Sequence, residues 1–146
     1  MAGPFVSDEL FPITIKYVEK KTRAGLSTCM VVRGKEMEQR YKDNAKEINT
    51  QWRVPNWKES QDLVRQCYRW DQIAGEKILD WNLYRMKCLD TYMVAWDITI
   101  PSQTGGADQP VPCTPDNVAK LQPLIASALV DEFMLKTSPT DDDMGN

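Results

Sequence analysis

The sequence predicts an α+β fold in which an N-terminal antiparallel β-hairpin packs on a bundle of four to five helices. The N-terminal segment alternates apolar and polar residues, later segments place apolar residues three and four apart, and the text TPDN opens a last apolar helix. A chain of 146 residues has the size of one domain. We therefore expect a single α+β domain over residues 1–136. Residues 137–146 are acidic and lack apolar anchors, so we expect a disordered tail there.

The hairpin is predicted from two sequence segments that have the residue pattern of β-strands. In FPITIKYV, Ile13, Ile15 and Tyr17 fall on one face of a strand. The polar segment EKKTRAG ends at Gly25 and suits a hairpin loop, and LSTCMVVR then indicates the second strand. Because two strands alone are only marginally stable, this hairpin must pack on helices or gain strands from elsewhere in the chain.

The middle of the chain is predicted to be helical. An exposed helix is indicated over KEMEQRYKDNAKEINT by one narrow apolar stripe, formed by Met37, Tyr41, Ala45 and Ile48. Pro55 predicts a turn, after which Asn56 can cap a new helix with Glu59 three residues later. From Trp57 to Trp96 the spacing predicts two helices, with an interruption or a new start between residues 71 and 80.

The segment between Asp97 and Cys113 is rich in Pro and Gly and predicts a loop, with a short hairpin whose arms are DITI and PVPC. Thr114 is placed to cap the helix that follows, with Pro115 at its first position. Pro123 interrupts this helix, so we expect a kink there, or a short helix followed by a longer one starting at Gln122.

The search for catalytic chemistry gives no candidate residues, and no metal site or cofactor is predicted. The chain has no His, which removes Ser-His and Cys-His pairs and the commonest metal ligand. Its four Cys form no CxxC pair, so reduced thiols are expected. Gly105-Gly106 lacks the spacing of a phosphate-binding loop. The sequence therefore argues against an enzyme, although catalysis by carboxylates or Lys stays open.

Binding of other proteins is the remaining function class. Trp is enriched at interface hot spots, and Met adapts to partners of different shape. The candidate protein-binding residues are Trp52, Trp57, Met86, Met93, Trp96, Leu124 and Phe133. Whether these side chains form the core or an interface stays open at this point.

Charge is distributed unevenly along the chain. Residues 1–70 carry a net charge of +4, whereas the whole chain carries −3. This asymmetry suits two differently charged faces, and it also suits head-to-tail self-association or a charged partner. The basic residues near Tyr17 are interpreted as a solvated hairpin tip rather than a nucleic-acid site. No apolar run approaches 18 residues and the N-terminus lacks the pattern of a signal peptide, so we expect a cytoplasmic protein that does not bind membranes.

The C-terminal third contains Trp96 and Asp97, then the arm Pro110-Val111-Pro112 and the helix start Thr114-Pro115-Asp116-Asn117. With this pattern it resembles the tail assembly chaperones of long-tailed, siphovirus-like bacteriophages. In that family a Trp often closes a helix and is followed by a turn, a short arm of the type Pro-Val-Pro, and a helix start of the type Thr-Pro-Asp-Asn. The corresponding residues here are Trp96, Asp97, Pro110, Val111, Pro112, Thr114, Pro115, Asp116 and Asn117.

The resemblance implies a non-catalytic protein of the host cytoplasm that is missing from the mature virion. Such chaperones bind the phage tape-measure protein and promote assembly of the tail tube, so the implied partners are the tape-measure and tail tube proteins. Two alternatives stay open: a structural virion protein of the tail or neck, and a small phage inhibitor that binds a host defence protein. A nucleic-acid binder ranks below both.

Overall fold

The computed structural model describes residues 4–138 and confirms the α+β class. Within these residues the chain forms one four-stranded antiparallel sheet, two two-stranded sheets and five helices. The elements are β1 (Phe11–Lys21), β2 (Ser27–Val31), α1 (Gly34–Arg40), β3 (Lys46–Trp52), α2 (Trp57–Gln66), β4 (Tyr68–Asp71), β5 (Glu76–Leu79), α3 (Trp81–Tyr92), β6 (Met93–Trp96), β7 (Thr99–Ile100), β8 (Gln109–Pro110), α4 (Pro115–Val118) and α5 (Pro123–Thr137).

The predicted N-terminal hairpin is present, and it gains strands from elsewhere. β1 and β2 pair antiparallel, with Val18 opposite Met30. The loop between them uses Gly25 at a φ of 80°, a conformation that favours Gly. β3 pairs with the other side of β1 and β6 pairs with β3, which gives the strand order β2-β1-β3-β6. The hairpin is therefore one half of a larger sheet.

The exposed helix predicted over residues 35–50 is wrong in its second half. α1 ends at Arg40, and Lys46–Trp52 forms the inner strand β3. Ile48 and Trp52 alternate with exposed residues, which is the pattern of a half-buried strand. The helical spacing that links Ile48 to Met37 is thus overridden by long-range pairing with β1.

The two helices predicted between Trp57 and Trp96 correspond to α2 and α3, but two strand pairs were missed. The interruption is a complete hairpin, β4–β5, which turns through Gly75 at a φ of 67°. The last predicted helical turn is strand β6, because α3 ends at Tyr92 and Met93 pairs with Trp52. A four-residue strand of this kind cannot be recognised from spacing alone.

The C-terminal features follow the prediction closely. β7 and β8 form a short hairpin, but its second arm is Gln109–Pro110, which shares only Pro110 with the predicted arm PVPC. Thr114 Oγ1 accepts a hydrogen bond from the backbone N–H of Asn117 at 3.4 Å, as predicted. Pro123 divides the chain into the short α4 and the longer α5, whose N-cap is Gln122. α5 includes Thr137, the first residue of the predicted tail, whereas residues 139–146 lie outside the described residues.

The core lies between the inner face of the large sheet and helices α3 and α5. Trp52 is fully buried, and its indole N–H donates to Thr50 Oγ1 at 2.6 Å. Phe133 of α5 stacks against Trp52 at 4.8 Å and against Tyr92 at 5.2 Å between ring centroids. This aromatic stack ties the sheet to both helices and places Tyr92 at the edge of the core.

Candidate protein-binding groove

Four of the seven residues predicted for protein binding have their main contacts inside the protein. Trp52, Met93 and Phe133 belong to the buried core, so their side chains leave almost no surface for a partner. Trp96 is half-buried, and its indole N–H donates to the carbonyl of Val111 at 2.6 Å. This bond closes the loop between β6 and α4, which gives Trp96 a structural contact.

The other three predicted residues are exposed but are not brought together. Trp57 lines a cleft beside Phe5, whereas Met86 lines a different and smaller cleft between α3 and the start of α5. Leu124 lies on the first turn of α5. The seven residues therefore do not form one continuous surface.

A larger cleft of about 1130 Å³ lies among α2, α3 and the end of α5. We name it the aromatic groove. Its apolar lining consists of Phe11, Pro12, Val54, Pro55, Val64, Leu79, Trp81, Tyr84, Tyr92, Phe133 and Met134. Sequence reasoning had selected only Phe133 from this set.

One wall of the groove is helix α2, which is fixed at its first turn. Asn56 Oδ1 accepts from the backbone N–H of Glu59 at 2.9 Å, as the capping pattern predicted. The Glu59 carboxylate in turn accepts two hydrogen bonds from Arg53, at 3.1 and 2.8 Å. Arg53 also donates to the carbonyl of Thr91 at 3.1 Å, which joins the start of α2 to the end of α3. Ser60, one residue after Glu59, then faces the groove.

The opposite side begins at the first residue of α3. Asp80 caps this helix by accepting from the backbone N–H of Leu83 at 3.1 Å. The cap holds Trp81 at the surface, where it stacks on Tyr84 at 5.5 Å between centroids and stays 52% exposed. Burial raises the pKa of the Tyr84 phenol to about 12, so this hydroxyl stays protonated at neutral pH. The pair forms a rigid aromatic edge beside the groove.

The β4–β5 hairpin extends this aromatic surface. Leu79 lines the groove and pairs with Tyr68 across the hairpin, so the two side chains share a face. Trp70 is two residues along the same strand and lies on that face as well. Tyr68 and Trp70 are 47% and 59% exposed. Tyr68 and Trp70 therefore place further exposed aromatic area on the hairpin face that includes the groove residue Leu79.

The polar groups that line the groove are hydroxyls and one cation. Lys136 is the one charged residue of its described lining, and Ser60, Thr137 and Ser138 contribute hydroxyls. Elsewhere, burial raises the pKa of all four thiols, to about 11 for Cys88, so they are poor nucleophiles at neutral pH. Among residues 4–138 no group of three Cys, Asp or Glu side chains is placed to hold a metal ion.

No helix of the described chain combines the length and the apolar character needed to cross a membrane. No protein-family model matches the sequence, and neither a curated protein nor a solved structure shows significant similarity to it.

Trp81 and Tyr84 are the functional candidates that sequence reasoning missed. Their signal was present, because they stand three apart at a helix start and directly follow the capping residue Asp80. A capped first turn faces solvent on part of its circumference, so at least one of two large aromatic residues there is a candidate for an exposed position.

Proposed function

We propose that this protein is a non-catalytic assembly chaperone that holds an apolar segment of another protein in the aromatic groove. The observation that carries the proposal is the large apolar groove, with the exposed Trp81 at its edge and the exposed Tyr68 and Trp70 on the hairpin face that includes Leu79. Isolated exposed apolar residues are ordinary, whereas a contiguous apolar patch beside a cleft marks an interaction site. Trp and Tyr are also the side chains that contribute most to binding energy at interfaces.

The volume of the groove is large enough for a short helical segment. Two turns of an α-helix occupy a cylinder roughly 10 Å across and ~11 Å long. This is comparable to the 1130 Å³ of the groove. Recognition of an amphipathic helix by an apolar groove is a recurrent mode of peptide binding, and Met134 at the wall can adapt to different side chains.

The specific form of the proposal is a phage tail assembly chaperone that binds the tape-measure protein and promotes assembly of the tail tube. The residues that carry the resemblance make direct contacts in the fold: Trp96 bonds Val111, and Thr114 caps α4. An apolar groove is the feature that the resemblance requires for keeping tape-measure helices soluble. In this role the protein acts in the host cytoplasm and is missing from purified virions.

Co-expression tests this function directly. The tape-measure protein encoded in the same genome is produced alone, with this protein, and with a Val64→Arg variant, which places a long cation in the groove wall. We expect the wild type to increase the soluble fraction of the tape-measure protein, and Val64→Arg to lose the effect at an unchanged Tm. Trp57→Ala is the matched control outside the groove and should behave as wild type. An equal soluble fraction with and without this protein would contradict the proposal.

A further inference from the structure

The floor of the aromatic groove contains one polar group whose hydrogen-bonding capacity is unused. Tyr92 is 2% exposed and lines the groove, yet its hydroxyl makes no hydrogen bond with any described residue. A buried hydroxyl without a partner is costly, and such groups are rare in folded proteins. The ring itself is held firmly, by stacking on Phe133 at 5.2 Å and by the Arg53 guanidinium 5.5 Å from its centre.

The Tyr92 hydroxyl lies beside the α2 wall of the groove, so an occupant that bonds this hydroxyl must contact that wall. Burial raises the pKa of the Tyr92 phenol, and a hydrogen-bonding interaction with the Ser60 hydroxyl lowers it, so the two hydroxyls lie close together although their geometry is not that of a formed hydrogen bond. Ser60 lies on the exposed α2 wall and lines the groove as well. Rotation of the Ser60 side chain, with the capped backbone of α2 held in place, would therefore present the Tyr92 O–H to a group bound in the groove.

The rim of the groove has an unbalanced positive charge. Lys136 forms no ion pair with a described residue, whereas the nearby Arg53 is neutralised by Glu59. Carbonyl groups at the C-terminal end of α5, which carries the negative end of the helix dipole, already accept hydrogen bonds. Thr137 Oγ1 donates to the carbonyl of Phe133 at 2.8 Å, and Ser138 Oγ donates to that of Met134 at 2.8 Å. Among the described residues that line the groove, the charge left for a partner is that of Lys136.

We propose that the occupant of the groove is an acidic amphipathic segment of a partner protein. Its apolar side chains cover the aromatic lining, one acceptor oxygen takes the hydrogen of Tyr92 Oη, and a carboxylate pairs with Lys136. This inference rests on the proposed function, since it specifies the chemistry of the segment that the groove binds. It distinguishes an acidic partner from a purely apolar or a basic one.

A display library of random 15-residue peptides provides the probe. Selection on the intact protein should enrich peptides that combine apolar residues with Asp or Glu, and their affinities are then measured by fluorescence anisotropy. Tyr92→Phe should weaken the acidic peptides about tenfold. Lys136→Met should weaken them about threefold, and less at high salt. Val64→Arg should abolish binding, and the Tm of each variant shows that it is folded.

The outcomes separate this inference from the function on which it rests. If no peptide is enriched, or if Val64→Arg binds the selected peptides as wild type does, groove binding itself is overturned. If peptides bind the groove without acidic residues, or bind Tyr92→Phe and Lys136→Met with unchanged affinity, groove binding stands and the acidic occupant is overturned. A variant ending at Ser138 that binds the peptides over tenfold more tightly would identify residues 139–146 of this chain as the occupant instead.

Discussion

Tryptophan is buried in the core beneath the large sheet, whereas it is exposed around the groove. Trp52 is fully buried, hydrogen-bonded to Thr50 and stacked on Phe133. Trp81 and Trp70 are each more than half exposed, and Trp70 lies on the two-stranded β4–β5 hairpin, outside the four-stranded sheet. An aromatic side chain that is exposed in this way gives little to folding and keeps its apolar area for a partner. The comparison therefore separates residues that stabilise the fold from residues that the proposed function assigns to binding.

Among these variants, Trp52→Ala is expected to change the free energy of unfolding most. Removing this side chain leaves a cavity at the centre of the aromatic stack and frees Thr50 Oγ1 from the indole, so the free energy of unfolding should fall by about 4 kcal/mol. Urea denaturation followed by circular dichroism measures this change. A loss below about 1 kcal/mol would show that the sheet core is not where the fold is stabilised.

Tyr92→Phe should increase the free energy of unfolding, whereas Trp52→Ala should decrease it. The variant removes a buried hydroxyl that has no partner among the described residues and keeps the stacked ring, so the free energy of unfolding should rise by up to about 1 kcal/mol. Because the same change is expected to weaken binding, the two readouts move in opposite directions. A clear loss of stability would mean that the hydroxyl is already satisfied in the folded protein.

The stability that the α2 wall of the groove contributes should depend on pH, because Glu59 in this wall is an ionisable group. Hydrogen bonding from Arg53 holds the pKa of this carboxyl below its usual 4.5. A carboxyl with a lowered pKa contributes stability that is present above 4.5 and is lost as the pH falls through the folded-state pKa. Glu59→Gln should therefore cost about 1 kcal/mol at pH 7 and make stability less dependent on pH below 4.5. Denaturation curves of both proteins between pH 7 and pH 2.5 test this, and parallel pH profiles would contradict it.

Among these variants, Trp70→Ala is expected to change the free energy of unfolding least. Its side chain is exposed on the β4–β5 hairpin, so the free energy of unfolding should change by less than about 0.5 kcal/mol. Binding of a groove-selected peptide should nevertheless weaken, because the hairpin extends the aromatic surface. A large loss of stability with unchanged binding would place Trp70 with the core residues instead.

Sequence reasoning predicted the elements whose signals are local. The β1–β2 hairpin, the Asn56 and Thr114 caps and the break at Pro123 depend on neighbouring residues, and all are present. Strand β3 was missed because its helical spacing competes with a pattern that is satisfied only by pairing with distant β1. Local propensity cannot decide between these two patterns.

The groove was harder to predict for a related reason. Whether a Trp is buried depends on which elements pack above it, and Trp52 and Trp81 look alike in the sequence. Phe133 was selected as a binding residue, and it forms both part of the groove lining and the centre of the aromatic stack. The lining combines residues from both ends of the chain, such as Phe11 and Met134, which only the folded topology brings together.

The central claim is that a partner segment binds in the aromatic groove, and the indole N–H signals of the five Trp residues test it most directly. In ¹⁵N–¹H NMR spectra recorded during titration with a selected peptide, the signal of Trp81 should shift strongly and that of Trp70 more weakly. The signals of Trp52 and Trp96 should stay in place, because their indoles bond Thr50 and Val111 inside the protein. A shift of Trp57 with Trp81 unchanged would contradict the claim.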